Sequence, residues 1–364
     1  MVNPLISVVI PSFRSGPLIR DAIESVLAQT FQKFEIIIVD NNASEDTREA
    51  FHEMANLYPD KIRIIRESIQ GVCSARNKGI LEASGTFIAL LDDDDYMYPE
   101  RLEKQLLAME QHPDVSLVYG MMNIISFDGK RIVEERKLDS TGYWSEVLFG
   151  DLPRYKSEPL VEPRPSVIFF RKDMGIKSGM FDVRFNPIMG EETEFYLRMW
   201  NLGSFYLIPE PIVAFRLPSP EFLIKKRIGN TNWFCAKKNL NLFFSILVEK
   251  HYKPDDTDIR KKFNKIRSQW LRELSLDILQ YRDGRSEARA LLSQAFRANA
   301  TDLKNWKWYL RTFLPDYLVL RSLGIEGFSS GSFMEMATPE TLNNFFCFSG
   351  DPSENVRSSG LFPF

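Results

Sequence analysis

Four consecutive aspartates, Asp92–Asp95, follow a short and wholly apolar run, Phe87 to Leu91. A run of this kind, bounded by a glycine, predicts a strand that is buried on both faces of a parallel sheet. The acids then lie where the strand leaves the sheet, which is the edge at which open α/β sheets bind ligands. Four adjacent like charges repel one another, and a divalent cation that bridges to a phosphate offsets this repulsion. The run therefore predicts a metal and phosphate site, with a solvated turn that caps the next helix as the alternative.

The first 135 residues alternate between β-branched runs and amphipathic stretches. Ser44 is a candidate N-cap, and Pro99 is expected at the first position of its helix, where the missing N–H is harmless. Such alternation predicts an α/β fold with a mostly parallel central sheet flanked by helices. The predicted strands are residues 6–10, 34–39, 62–65, 86–91, 115–119 and 131–134, the last after a turn at 127–130, and the predicted helices are 17–28, 45–57, 72–83 and 99–111.

Beyond residue 135 the alternation ends and prolines become frequent, which is typical of a substrate-facing loop. A strand is predicted at 167–170, and the segment 190–198 predicts a helix with acids in its first turn, where they favour the helix dipole. Later residues show helical patterns and then a tail rich in Ser, Gly, Asn and Phe without a sustained period. We therefore expect an α/β domain at 1–220, a helical extension at 221–323 and a poorly ordered tail at 324–364.

Composition limits the class of protein. A chain of 364 residues, of which 44% are hydrophobic and 26% charged, can bury a sizeable core. The three cysteines, Cys73, Cys235 and Cys347, are far apart and lack metal-site spacing, so neither a disulfide framework nor a zinc site is indicated. No stretch approaches the ~20 apolar residues of a membrane-spanning helix, and the first residues lack a signal-peptide pattern. A cytoplasmic location is expected.

The net charge of −3 hides an asymmetry, because acids outnumber bases in residues 1–220 and bases outnumber acids in residues 221–330. Phosphate contacts along a nucleic acid require a basic face, which the acidic α/β part does not offer. No nucleic-acid partner is expected. The basic helical extension is better suited to an anionic surface.

Polar strings follow the ends of several predicted strands and therefore share one edge of one sheet. Together with an acidic string near residue 191, they resemble the family 2 glycosyltransferases, which have the GT-A nucleotide-sugar fold. The resemblance covers about residues 4–217, and the remainder matches no family that we can name. The strings that carry the resemblance are residues 7–13, 34–44, 71–79, 91–95 with Pro99 and Leu102, and 190–198.

The resemblance implies a donor site at the strand ends. The ring of Phe13 would offer a stacking face to the nucleotide base, and Asp40 would accept a hydrogen bond from the base, with an Asx turn as the alternative role. Arg76 would meet the diphosphate or order the acidic run, with a surface arginine as its alternative. The implied donor-binding positions are Pro11, Ser12, Phe13, Arg14, Asp40, Asn42, Arg76, Asp92 and Asp93.

The family's Asp-x-Asp-Asp string aligns with Asp92 and Asp94, although Asp93 and Asp95 form a second, overlapping pair. Side chains alternate at the end of a strand, so Asp92 and Asp94 are expected to share a face. The implied metal positions are Asp92, Asp94 and Asp95. Mn²⁺ or Mg²⁺ suits these hard oxygen ligands, with a diphosphate at the remaining positions.

Glu191 and Glu192 correspond to a Glu-Asp pair whose second member is the general base of inverting members of the family. Glu192 stands where aspartate is usual, and its extra methylene moves the carboxylate by roughly a bond length. The alternative is that both acids cap their helix. Pro218 stands where many members carry a histidine that assists the metal, so the third protein ligand is in doubt.

Aromatic and basic side chains interleave in residues 304–313 of the extension. One hypothesis is that this face contacts the cytoplasmic surface of the membrane, near a lipid-linked acceptor. The alternative is an ordinary core helix, because aromatic residues at helical spacing usually pack inward.

The sequence therefore predicts a metal-dependent, inverting enzyme that moves one sugar from a nucleotide diphosphate donor, most commonly a UDP-sugar in this family, to a hydroxyl acceptor. Surface polysaccharide, lipid-linked oligosaccharide and glycoconjugate synthesis are the expected settings. A binding or scaffolding protein that keeps the fold and has lost turnover is the non-enzymatic alternative. A nucleotidyltransferase ranks lower because residues 10–16 hold one glycine rather than a glycine-rich phosphate loop. A dehalogenase-type phosphatase is disfavoured because its Asp-x-Asp lies on the first strand.

Overall fold

The computed structural model describes residues 4–134, 142–144, 163–186, 191–217 and 285–313, with isolated positions between 246 and 279. The chain divides into two compact units, Met1–Ser219 and Pro220–Phe364. The predicted tail at 324–364 and most of the proline-rich loop lie outside the described residues.

The first unit is built on one large sheet. Its strands are β1 (Ile6–Ser12), β2 (Phe34–Asp40), β3 (Ile62–Arg66), β4 (Phe87–Leu90), β5 (Tyr96–Met97), β6 (Val115–Ile125), β7 (Ile132–Glu134), β8 (Gly142–Trp144), β9 (Ile168–Arg171) and β10 (Ser204–Arg216). Its helices are α1 (Leu18–Leu27), α2 (Glu45–Leu57), α3 (Val72–Glu82), α4 (Arg101–Gln111), α5 (Lys172–Lys177) and α6 (Glu191–Trp200).

The strand order is β3-β2-β1-β4-β9-β6-β10-β5, with β7 beside β6 and β8 beside β10. The first four strands in this order are parallel, as are β6 and β10. Strand β9 is antiparallel to both β4 and β6, and so joins the two parallel parts. The predicted α/β class is confirmed, and the parallel part is the half that carries the acidic run.

Burial explains why the N-terminal strands read as continuous apolar runs. Every residue of β1 is buried, and α3 is a helix that packs against it. A Cβ added to Gly79 of α3 would lie 2.2 Å from Val9 Cγ1, so only glycine allows this close helix-to-strand approach. Each fully buried valine or isoleucine contributes about 1.5–3 kcal/mol of transfer free energy.

The structure corrects the expected start of α4. The helix begins at Arg101, and Pro99 precedes it instead of occupying its first turn. The reason is that Tyr96 and Met97 pair with β10 as strand β5, which the sequence analysis missed. Tyr98 N continues this pairing by donating to Ile212 O at 3.0 Å. The chain is therefore still leaving a sheet edge when it reaches Pro99.

Ser44 occupies the N-cap position of α2, as predicted, but its side chain does not cap the helix. Its hydroxyl lies 2.7 Å from Thr47 Oγ1, which in turn accepts a hydrogen bond from Gly16 N. This contact ties the start of α2 to the loop after β1, which is one side of the predicted donor site.

The described part of the second unit includes α7 (Arg285–Ala298) and α8 (Leu303–Arg311). Helix α7 buries an apolar face of Ala288, Leu291, Leu292 and Ala295. Asp302 caps α8 by accepting a hydrogen bond from Lys304 N. Within the described residues, no helix combines the length and the apolar character that crossing a membrane requires.

Candidate functional site

The carboxyl ends of β1, β2 and β4 meet at one edge of the sheet because these strands are parallel and in register, with Ser12 opposite Asp40. Asn41 N donates to Ser12 O at 3.0 Å, which joins the loops after β1 and β2. Phe13 N donates to the carboxylate of Asp93 at 3.1 Å, which joins the loop after β1 to the acidic run. The predicted donor-site loops are therefore adjacent.

Phe13 is half-buried at this edge, and the exposed Arg14 places its guanidinium 4.5 Å from the centroid of the Phe13 ring. A guanidinium over an aromatic face is a cation–π contact. Pro11 and Ser12, by contrast, are buried at the end of β1. The loop after β1 thus presents one aromatic ring and one exposed positive charge at this edge of the sheet.

Asp40 is held by protein donors. Its carboxylate accepts hydrogen bonds from Ala43 N at 2.8 Å and from Arg48 Nε at 3.1 Å. These are the turn contacts that the sequence analysis gave as the alternative role for Asp40, and Asn42 in the same turn has a left-handed φ of 59°. A carboxylate has about four lone-pair directions, so Asp40 keeps acceptor capacity for a ligand.

The four aspartates have four different environments. Strand β4 ends at Leu90, and Asp95 N donates to Asp92 O at 3.2 Å, so the acids form a turn. Asp92 pairs with Arg76 Nη2 at 2.9 Å. Asp95 is buried and accepts a hydrogen bond from the backbone N of Arg216 at 2.9 Å. Contrary to the sequence analysis, a turn rather than strand alternation orients these side chains.

Burial, and to a lesser extent the charges of neighbouring carboxylates, raises the pKa values of Asp93, Asp94 and Asp95. Burial raises the pKa of Asp93 to about 6, against hydrogen bonds from Ser15 and Phe13 N that lower it. Burial, followed by the charges of Asp92 and Asp93, raises the pKa of Asp94 to about 7. Asp95 has a pKa well above its ordinary value, mainly because it is buried. A bound cation would favour the ionised forms that burial and these charges disfavour.

The donor set fits a cation that takes most of its ligands from elsewhere. Asp94 is half-exposed, and within the described residues its carboxylate forms no ion pair and no hydrogen bond with the side chain of another residue. Asp92 keeps one carboxylate oxygen beyond its contact with Arg76. No group of three His, Cys, Asp or Glu side chains in the described ranges has the arrangement of a metal site. Asp92 and Asp94 therefore suit a hard divalent cation whose other ligands come from a diphosphate.

Arg76 joins the acidic run to the predicted base. It is buried, and its second ion pair runs from Nη1 to Glu191 at 2.8 Å. Burial lowers its pKa, but the charges of Asp92 and Glu191 outweigh burial and raise it. The alternative of a surface arginine is wrong. Arg76 instead connects α3, the turn after β4 and the first residue of α6.

Helix α3 also holds the segment that leads to α6. Asn77 makes a two-way contact with Phe181, donating to its carbonyl at 2.7 Å and accepting from its N–H at 2.8 Å. Asn186 accepts from Cys73 N at 3.0 Å and donates to Ser74 Oγ at 2.7 Å. A Cβ on Gly71, whose φ is 137°, would lie 2.1 Å from Asn186 Cγ. Sequence analysis missed both asparagines; Asn77 lies in a recognised string, whereas no pattern marks Asn186.

Glu191 and Glu192 begin α6, as predicted, and both are buried. Glu191 forms an ion pair with Arg76, whereas Glu192 Oε1 lies 4.0 Å from Nη1 of the half-exposed Arg164. The two acids therefore have different partners. Pro218, predicted to replace a metal-assisting histidine, lies outside the described residues.

Arg101 is a further buried cation that sequence analysis missed. Its guanidinium donates to Leu90 O at 3.0 Å, to Ile168 O at 3.1 Å and to Gln105 Oε1 at 2.9 Å. Burial lowers its pKa to about 9, while the charge of Asp95 acts in the opposite direction. Arg101 thus holds the end of β4 in place beneath the acidic turn.

Comparison with known proteins gives one family. Residues 7–174 match the family described as Glycosyl transferase family 2. An uncharacterized glycosyltransferase from Methanocaldococcus jannaschii is 27% identical over 256 residues, which are 70% of this chain and 81% of the relative. The Escherichia coli UDP-Glc:alpha-D-GlcNAc-diphosphoundecaprenol beta-1,3-glucosyltransferase WfgD is 34% identical over 35% of this chain and 49% of its own length.

Several relatives are much longer than the matched region. The putative teichuronic acid biosynthesis glycosyltransferase TuaG of Bacillus subtilis is 36% identical over 29% of this chain and 41% of the relative. For two Rickettsia glycosyltransferases the match spans 18% and 21% of the relative. Among solved structures, residues 1–349 of S. aureus TarS in complex with UDP align with a TM-score of 0.54 at 15% identity, covering 84% of this chain and 89% of that chain.

Proposed function

We propose, from the glycosyl transferase family 2 domain at residues 7–174 and the GT-A-type fold, that the chain transfers one sugar, with inversion, from a UDP-sugar to a hydroxyl acceptor. The acceptor class is a carbohydrate or a lipid-linked glycan, as the names of the E. coli and B. subtilis relatives suggest. The observation that carries the proposal is that Arg76 forms ion pairs with both Asp92 and Glu191. These two pairs bring the acidic turn and the start of α6 together.

The donor side is assigned to the loops at the carboxyl ends of β1, β2 and β4. Phe13 would stack on the base, and Asp40 would accept a hydrogen bond from it with the acceptor capacity that the turn leaves. Asp92 and Asp94 would hold Mn²⁺ or Mg²⁺ against the diphosphate. When bound, this cation supplies charge neutralisation for the departing nucleoside diphosphate.

Glu192 is assigned as the general base. As the acceptor oxygen forms its bond to the anomeric carbon, Glu192 takes the hydroxyl proton, and the electron pair of the breaking C–O bond leaves with the nucleoside diphosphate. One displacement of this kind inverts the anomeric configuration. Glu191 is unsuitable as the base, because its carboxylate is engaged in an ion pair with the buried Arg76.

A titration of nucleotides tests the donor assignment. UDP, GDP, dTDP and CDP are added to the purified protein by calorimetry, with and without Mn²⁺, and thermal shift is recorded in parallel. We expect UDP to bind and to raise the melting temperature only with metal, because a ligand that binds the folded state stabilises it. Absence of binding by every nucleotide would favour the alternative of a fold that has lost turnover.

We also propose peripheral contact between the helical extension and an anionic membrane surface. Four apolar residues of α8 and its end, Leu303, Trp306, Leu310 and Phe313, are exposed at a spacing of three, four and three residues. Lys304, Lys307 and Arg311 are interleaved with them. This exposure favours the surface hypothesis over the core-helix alternative. Flotation with phosphatidylglycerol vesicles tests it, and equal recovery with neutral vesicles would exclude a role for charge.

A further inference from the structure

Arg216, the last residue of β10, is buried beneath the acidic turn with 3% of its surface exposed. Its backbone N donates to Asp95 Oδ1 at 2.9 Å, and its Nε donates to the carbonyl oxygen of Asp94 at 2.8 Å. Two consecutive residues of the acidic turn are therefore attached to one residue of a strand that is more than 100 positions away in sequence.

The outer end of the same side chain is also fully engaged. Nη1 donates to Phe127 O, in the turn between β6 and β7, at 2.8 Å. Nη2 pairs with the carboxylate of Asp21, in the first turn of α1, at 2.7 Å. A Cβ on Gly129, whose φ is 72°, would lie 2.9 Å from Nη1, so the turn is shaped around the guanidinium.

These contacts use all three guanidinium nitrogens in three directions. A planar fork is needed to reach a carbonyl, a second carbonyl and a carboxylate at once, and a lysine ammonium cannot reproduce this geometry. The bond to Asp94 O fixes the backbone of the residue whose half-exposed carboxylate forms no ion pair in the described part of the chain. The position of the Asp94 carboxylate thus depends on Arg216.

We propose that Arg216 is a positioning residue that sets the affinity of the acidic turn for a divalent cation and a diphosphate, by holding the Asp94 backbone. This inference rests on the proposed nucleotide-sugar site. It differs from a purely structural role, because β10 is anchored along its length by β6 and would remain paired if the guanidinium were changed.

The test measures Mn²⁺ binding in the presence of saturating UDP, by electron paramagnetic resonance of free Mn²⁺, for wild type and Arg216→Lys. We expect Mn²⁺ affinity about tenfold weaker in the variant, the size expected for one charge-assisted hydrogen bond. Asp21→Asn keeps Arg216 but weakens its outer contact, and should reduce affinity about two- to threefold. Asp21→Asn also decides the question if Arg216→Lys does not fold.

Arg198→Lys is the matched control. Arg198 pairs with Glu194 and donates to Ser178 O in the same unit, without a contact to the acidic turn. It should lose thermal stability while its Mn²⁺ affinity stays at the wild-type value. If Arg216→Lys or Asp21→Asn lowers stability but leaves Mn²⁺ affinity unchanged, the inference is overturned. If wild type itself binds neither UDP nor Mn²⁺, the proposed function fails instead.

Discussion

The candidate functional site has two sides, the donor flank and the base flank, and the two are built in different ways. The donor flank, defined as residues 11–14, 40–42 and 92–95, consists of loops that follow neighbouring parallel strands. The base flank, defined as residues 181–186 and 191–192, is attached to α3 across long sequence separations. Arg76 and Glu191 are 115 residues apart, and Ser74 and Asn186 are 112 apart. Sheet topology thus brings the loops of the first flank together, with Arg101 and Arg216 also holding its acidic turn, whereas side-chain contacts attach the second flank.

This difference predicts a division of labour. Changes in the donor flank should alter nucleotide and metal binding, because its groups are assigned to the donor. Changes in the base flank should alter turnover with little effect on donor binding. Arg76 contacts both flanks and should affect both quantities.

The largest expected effect is on turnover, at the base. Glu192→Gln keeps the size of the side chain but removes its ability to accept a proton, so the rate of sugar transfer should fall about 10²- to 10⁴-fold. Release of UDP from the donor in the presence of acceptor, or of water as a slow substitute, is the readout. A loss of less than threefold would remove Glu192 from the mechanism. Glu192→Asp, which restores the family's usual residue, is the matched control and should retain measurable turnover.

The next effect is on stability, at the residue that joins the flanks. Arg76→Met should lower the free energy of unfolding by about 3–5 kcal/mol, because Asp92 and Glu191 lose their partner in a buried setting. Urea denaturation measures the change. Arg63→Met, which removes a partly buried pair with Glu35 and an exposed pair with Glu82, is the control and should cost at most about 1 kcal/mol. Equal losses would show that Arg76 does not join the flanks energetically.

A third effect separates binding from stability within the donor flank. Asp94→Asn should weaken Mn²⁺-dependent UDP binding about 10- to 100-fold, because a neutral amide is a poorer ligand for a hard cation. The same variant should be more stable than wild type without metal. The pKa of Asp94 is raised from 3.8 to about 7, so its stability contribution is present below pH 4 and is lost as the pH rises through 7.

Thermal unfolding at pH 5 and pH 8 checks that sign. Part of the gain from Asp94→Asn should be present at pH 5, and the gain should be larger at pH 8, by about 2–4 °C for each kcal/mol of added stability. If Asp94→Asn were less stable than wild type at pH 8, the ionised Asp94 carboxylate would not destabilise the metal-free protein, contrary to this prediction.

The smallest expected effect is at Asn186. Asn186→Ala removes its contacts with Cys73 N and Ser74 and should cost about 1–3 kcal/mol of stability. Turnover should fall several-fold with unchanged UDP affinity, because the segment leading to α6 loosens while the donor flank is untouched. Gln32→Ala, which changes an exposed amide that bonds Gln29 O, is the control. Reduced UDP affinity in Asn186→Ala would break the separation between the flanks.

The donor flank could be predicted from sequence because each of its loops follows a continuous apolar strand. Most of the base flank could not, although the acids of α6 were found. Strand β10 contains Pro209 and Pro211, which interrupt the strand pattern, and its pairing with β6 shifts register around Pro211. Proline lacks the ladder N–H and is tolerated at such irregularities. The sequence directed attention to Pro218 near the end of this strand, but it did not predict the contacts of Arg216 with the acidic turn.

Within the acidic run, sequence could not separate Asp94 from Asp95. Both belong to one string of identical residues, and their roles differ because Asp95 faces Arg216 N in a buried position while Asp94 is half-exposed. The turn that divides them depends on Arg216 and Arg101, which come from β10 and α4. No local pattern carries that information.

One measurement tests the division of labour most directly. UDP is titrated calorimetrically, at saturating Mn²⁺, into wild type, Asp94→Asn and Glu192→Gln. We expect wild type and Glu192→Gln to bind UDP with the same affinity. Asp94→Asn should bind UDP at least about tenfold more weakly. Loss of UDP binding in Glu192→Gln, or wild-type affinity in Asp94→Asn, would contradict this division of labour.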